Sequence, residues 1–134
     1  ATGGIACNFD VFDPSFDPAS VAPVVDEVVR LRKYWYGDFY PLTSPADMED
    51  VWIAWQLSLG DAGAVYAFRR KDCESDTFTP SLAAIDDNAT YRVTVTDEDL
   101  KRTALMLKGE TLRRYPLRCP EKRTSLILEY DLIG

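Results

Sequence analysis

With 134 residues, 46% of them hydrophobic and 28% charged, the chain is long enough to bury one core and too apolar for a disordered segment. A formal net charge of −7 sets its overall field against duplex nucleic acid and anionic lipid, and no apolar run reaches the roughly 20 residues of a membrane span. The lack of any histidine removes the usual zinc-ligand and thiol-protease constellations, and no cofactor motif stands out.

The start, Ala-Thr-Gly-Gly-Ile-Ala-Cys, lacks the basic and then apolar regions of a signal peptide, so export is not indicated. Cys7, Cys73 and Cys119 form an odd set without a CxxC pair. They read as free thiols, which favours a reducing, cytoplasmic compartment, although one disulfide plus a spare cysteine stays open. Residues 8–18 repeat Phe-Asp three times around two prolines, a composition that forbids a regular helix and predicts an irregular connector. The spacing of Asp10, Asp13 and Asp17 is not that of an EF-hand loop, so these carboxylates are expected to cap turns and the next helix rather than to hold calcium.

Asp17 or Ser20 then caps a helix over residues 20–34, where Val21, Val24, Val25, Val28 and Leu31 recur at helical spacing. Its β-branched valines lower the intrinsic propensity, so the helix needs packing to persist. Residues 34–43 crowd five aromatic rings around one Gly-Asp pair, and from residue 51 the period changes to two. Runs at 51–57, 63–70, 77–84, 90–96, 102–107, 114–119 and 124–131 predict a mainly β chain. The expected fold is an antiparallel β-sandwich of about seven strands preceded by one N-terminal helix.

Gly60-Asp61 is placed to close the first hairpin, and Asp86-Asp87-Asn88 to turn the chain after the third run. Residues 101–107 fit either strand or helix. Trp52 and Trp55 fall on opposite faces of one strand, so a layer is needed on both sides, with one tryptophan facing the helix. The segment 109–112 reads as a turn presenting Leu112 to the core, and the last run is expected to close the sheet in a sequential antiparallel order.

Two readings compete for the aromatic junction. Trp35, Tyr36, Asp38 and Tyr40 supply the rings and the carboxylate with which proteins hold a pyranose. Alternatively, Trp35, Phe39 and Tyr40 fill a seam between helix and sandwich while Gly37 supplies a turn conformation, the preferred reading because large rings bury readily. Glycoside hydrolysis needs two facing carboxyl groups on a rigid scaffold, and the carboxylates here lie in connectors and turns without a convincing pair.

Tyr36-Gly37-Asp38-Phe39-Tyr40-Pro41-Leu42-Thr43, Trp52-Ile53-Ala54-Trp55-Gln56, Ala67-Phe68-Arg69-Arg70 and Gly109-Glu110-Thr111-Leu112 occur in that order. Together they resemble the junction between catalytic barrel and C-terminal β-domain in family 36 glycoside hydrolases, the α-galactosidase group. The resemblance runs from about Phe9 to the end. It implies that residues 1–36 are a connector and the last helix of a (β/α)8 barrel, and residues 37–134 the β-sandwich domain. Such a barrel needs about 250 residues, and the family's catalytic aspartates have no counterpart here. The resemblance thus implies a fragment of a retaining glycoside hydrolase, inactive alone, that braces the barrel of its parent chain and contributes to subunit contacts. The alternative from the binding class is an autonomous carbohydrate-binding module. If the barrel side of the helix is uncovered, its valines are expected to drive homo-oligomer formation.

Overall fold

A computed structural model describes residues 10–45 and 48–134. The connector turns on its own aspartates: the Asp10 carboxylate accepts from the Phe12 N–H at 3.0 Å, and the Asp13 carboxylate from the Ser15 N–H and hydroxyl at 2.8 and 2.7 Å. Asp17 caps helix α1 (Pro18–Leu31), accepting from the Ala19 N–H at 3.0 Å, with Pro18 in the first turn, where its missing N–H costs nothing. The helix tightens into a 3-10 turn (Arg32–Tyr36) and stops at Gly37. This glycine is not there for a left-handed conformation, since its φ is −80°. It is there for space, because a Cβ would run into the Ser58 carbonyl.

The expected mainly β fold is present. Strands β1 (Asp38–Pro41), β2 (Trp52–Ser58), β3 (Ala62–Arg69), β5 (Thr90–Thr96), β6 (Arg102–Lys108) and β8 (Thr124–Leu132) form one antiparallel sheet in the order β1-β2-β3-β8-β5-β6. Strands β4 (Thr77–Phe78) and β7 (Leu117–Arg118) pair separately, and a single turn of helix, α2 (Gly109–Leu112), follows β6. Residues 102–107 are therefore strand rather than helix, and β6 carries on to Lys108. The β2–β3 hairpin closes where expected, with Gly60 at a φ of +90° and the Leu59 N–H bonded to the Ala62 carbonyl at 2.7 Å.

Three expectations are corrected. The runs 77–84 and 114–119 shrink to two residues of strand each, because Pro80 and Pro116 withhold ladder donors and these segments cross over the sheet instead of extending it. The aromatic junction adds a strand, β1, that alternation did not announce. The last run, rather than closing the sheet at an edge, enters its centre as β8 between β3 and β5. That central place matches its composition, since Leu126, Leu128 and Tyr130 are buried on one face and Glu129 on the other.

Both faces of the sheet are covered. On one, Trp52, Ala54, Val65, Ala67, Tyr91, Val93, Leu126 and Leu128 pack beneath Cys73, Leu82, Ile85, Leu112, Leu117 and Cys119 from the crossing segments. Leu112 is fully buried, as its turn predicted. On the other face Leu57 and Ala64 pack against Leu31 and Tyr34 of the helical layer, with Trp55 and Tyr66 alongside. Trp52 and Trp55 thus divide between the two layers. Cys73 and Cys119 are buried free thiols, and Cys7 lies outside the described residues.

Two polar side chains tie the crossing segments down. Gln56, fully buried in β2, accepts from the Ala83 N–H at 2.9 Å, and its amide donates to the Ala83 carbonyl at 2.9 Å and to the Tyr130 hydroxyl at 2.7 Å. Arg69, only 6% exposed at the end of β3, donates to the carbonyls of Cys73, Glu74, Cys119 and Pro120 at 2.6–3.1 Å. One guanidinium so holds the loops on either side of the small sheet.

Candidate functional site: the junction of helix and sheet

Tyr34 is the centre of the junction. Its ring has no exposed surface, lies among Leu31, Leu57 and Ala64, and is covered by the Lys33 ammonium 4.7 Å from the ring centroid. Its hydroxyl reaches Oε1 of Glu129 at 3.5 Å. The second oxygen of Glu129 receives Arg30 Nε at 2.9 Å, with Arg102 Nη2 at 3.7 Å. Arg30 in turn lies 3.4 Å from Glu27, one turn earlier on α1. A carboxylate with a side chain only 7% exposed is tolerable in this position because cations from a helix and an edge strand both approach it.

Burial is the main cause that pushes the Tyr34 phenol well above its ordinary value of 10, and the neighbouring Glu129 charge adds to it. Burial likewise raises the Tyr66 and Tyr130 phenols. The sign follows directly: the unfolded state ionises first, so this stabilisation is complete below pH 10 and is lost as the pH climbs above it. Through Tyr34, unfolding free energy is expected to fall by up to about 1.4 kcal/mol per pH unit in that window. Tyr34→Phe should remove one such contribution. Urea titrations of both proteins between about pH 9 and pH 11 check this, and parallel pH slopes would sink it.

The four residues singled out from sequence do not share a face. Trp35 is half-buried and packs with the Tyr34 cluster. Tyr36, at the end of the 3-10 turn, is 91% exposed. Asp38 and Tyr40 belong to β1 and lie opposite Ser58 and Gln56, on the face away from the helix. Phe39, on the helix side of the same strand, is 51% exposed rather than enclosed in a seam. The rings that do come together are Trp55, Tyr66 and Phe68. Trp55 stacks on Tyr66 at 5.6 Å and 17° and on Phe68 at 5.3 Å and 24°. Their faces meet one another, whereas a stacked sugar needs an open ring face.

The helix is amphipathic in an unusual sense. Glu27, Arg30, Leu31 and Tyr34 turn toward the sheet, while Val25 and Val29, one turn apart on another side, are exposed together with Val24. Sequence reading found the valines but not the sheet-facing charges, because a Glu and an Arg on a helix ordinarily signal its solvated side. Glu129 was equally hidden inside an apolar run. Its neighbours Leu128 and Tyr130 read as strand, and only the central place of β8 turns its side chain toward α1.

Among the carboxylates, Asp97 accepts from the N–H groups of Asp99 and Lys101 at 3.0 and 2.9 Å and so shapes the β5–β6 turn. Asp87 pairs with Arg113 at 2.7 Å and Asp76 with Arg118 at 2.9 Å. A shallow cavity of about 450 Å³ beside Leu42, Thr43, Asp50, Trp52 and Phe78 has an apolar floor. The Trp52 ring there is engaged, stacking on Phe78 at 5.8 Å and donating its indole N–H to the Ser75 carbonyl at 2.9 Å. Compared with known proteins, the chain matches no family model and no curated sequence.

Proposed function

We propose that this chain is the non-catalytic C-terminal β-domain of an α-galactosidase-like glycoside hydrolase, in which α1 is the element shared with the catalytic barrel. The observation that carries the reading is the outward valine edge of α1. A helix that turns charged residues toward its own sheet and valines to solvent is built to lie between two bodies, and a second apolar body belongs against Val25 and Val29. The junction supports a bracing role as well, since Tyr34 and the Arg30–Glu129 pair hold the helix to the sheet and would fix its direction relative to a neighbour. The sugar-binding alternative draws on Tyr36 alone as an open ring, with Trp35 and Tyr40 on different faces.

The chain alone is expected to show no turnover of a chromogenic α-galactoside and no heat with galactose or melibiose. Light scattering should show self-association that rises with concentration. Val25→Lys with Val29→Lys should abolish it while changing stability by no more than about 0.5 kcal/mol per site, as exposed positions do. A strict monomer at high concentration, saturable galactose binding, or turnover lost on one Asp substitution would each overturn the reading.

A further inference from the structure

The two edges of the main sheet are unlike. β1 is four residues long and ends in Pro41, features that discourage further pairing. β6 runs seven residues without proline, glycine or bulge, in unbroken register with β5 from Thr90↔Lys108 to Thr96↔Arg102. Bonds from the Asp97 N–H to the Lys101 carbonyl and from the Gly109 N–H to the Ala89 carbonyl bracket this ladder. Thr103, Leu105 and Leu107 therefore bond to β5, and the N–H and C=O groups of Arg102, Ala104, Met106 and Lys108 point away from the sheet.

The two flanks of this edge are also distinct. Toward the crossing segments, Thr103 and Leu105 line a groove of about 260 Å³ with Val95, Tyr115, Leu117 and Leu126. Toward the helix side, Met106 is 55% exposed, Arg92 lies directly opposite it on β5, and Arg102 and Lys108 end the strand. Arg102 also approaches Glu129 at 3.7 Å. Arg92 itself lies between Met106 and Asp131 of β8, so the cations at the outer rim of this flank are Arg102 and Lys108, on a chain whose net charge is −7.

We propose that the β6 edge is a docking strand for an extended, acidic segment of a partner protein, added antiparallel to the sheet. Outward backbone groups give the binding, the groove beside Leu105 receives alternate apolar side chains, and carboxylates at the two ends of the incoming strand meet Arg102 and Lys108. A second copy of this chain is a poor occupant: antiparallel pairing centred on Leu105 sets Arg102 against Lys108 of the other copy at both ends, and like charges directly opposite are destabilising. The proposal is independent of any barrel, because β6 and the valine edge of α1 are separate surfaces.

The test is fluorescence anisotropy of the full chain with fluorescein-labelled Gly-Asp-Val-Ile-Val-Thr-Val-Asp-Gly and with its counterpart carrying Lys in place of both Asp. The acidic peptide is expected to saturate, and the lysine peptide to bind about tenfold more weakly or less, a difference that shrinks with salt. Met106→Pro blocks an outward N–H without touching the bonds to β5 and should weaken the acidic peptide about tenfold. Should that variant fail to fold, Arg92→Glu with Lys108→Glu carries the test and must reverse the preference between the two peptides. Equal binding of both peptides, binding indifferent to these variants, or no saturation by about 1 mM would overturn the proposal. So would a free chain that dimerises through β6 and becomes monomeric on Met106→Pro.

Discussion

Replacing Arg69 by methionine is expected to cost about 4 kcal/mol of folding stability, the largest single polar effect in the domain. The physical reason is the set of acceptors left behind. Cys73 and Cys119 are both buried, and their carbonyls take bonds from the guanidinium at 2.9–3.1 Å, so neither has water as a ready substitute. An orphaned buried acceptor costs about 1–3 kcal/mol, and two of them, with a smaller contribution from the bonds to the exposed residues Glu74 and Pro120, give the expected magnitude. Methionine keeps much of the apolar stem, which separates lost hydrogen bonding from lost packing. Lysine should recover less than half, because a single ammonium cannot span carbonyls that a planar fork reaches from Nε, Nη1 and Nη2. In urea the midpoint of Arg69→Met should fall by about 2 M relative to the native chain. A loss below about 1 kcal/mol would show that the crossing segments hold themselves.

Arg69 also illustrates where sequence reading succeeds and where it stops. Local period and turn chemistry place β2, β3, β5 and β8 to within about two residues, because each is a short run bounded by turn residues, whereas residues 101–107 fit helix as well as strand until β6 pairs with β5. Within the Arg69-Arg70-Lys71 run, however, the three residues look alike on paper. Only the first faces inward, and that follows from its register opposite Trp52 and Thr124. The insertion of β8 between β3 and β5 is a long-range choice that no local pattern records, and it alone explains a buried glutamate in that strand. The junction was legible as a joint and not as a geometry. Five adjacent aromatics announced burial, yet Tyr34 is enclosed, Tyr36 is open, and Phe39 and Tyr40 take opposite faces once β1 pairs with β2. In the sequence Gly37 suggests conformational freedom at a turn, whereas its actual constraint is the nearness of the Ser58 backbone.

Tyr34→Ala is expected to cost about 3–5 kcal/mol, the range for deleting a fully enclosed aromatic ring. Two losses combine. The ring leaves a hole among Leu31, Leu57 and Ala64, and Glu129 loses one of the donors that make its burial tolerable. Tyr34→Phe separates them, since it keeps the ring and removes only the 3.5 Å hydroxyl contact; it should cost no more than about 1 kcal/mol at neutral pH. The informative readout is the order of events on heating. The helical layer meets the sheet chiefly through Leu31, Tyr34, Trp35 and the Arg30–Glu129 pair, and Val24, Val25 and Val29 on its outer edge are exposed. In Tyr34→Ala the far-ultraviolet signal of α1 should therefore fade at lower temperature than the near-ultraviolet signal of Trp52, whose surroundings lie on the opposite face. Coincident transitions would mean that α1 is an inseparable part of the sandwich. Separate ones would mean that the sandwich stands by itself and carries the helix on one buried tyrosine and one ion pair, the arrangement that a helix contributed to a neighbouring barrel requires.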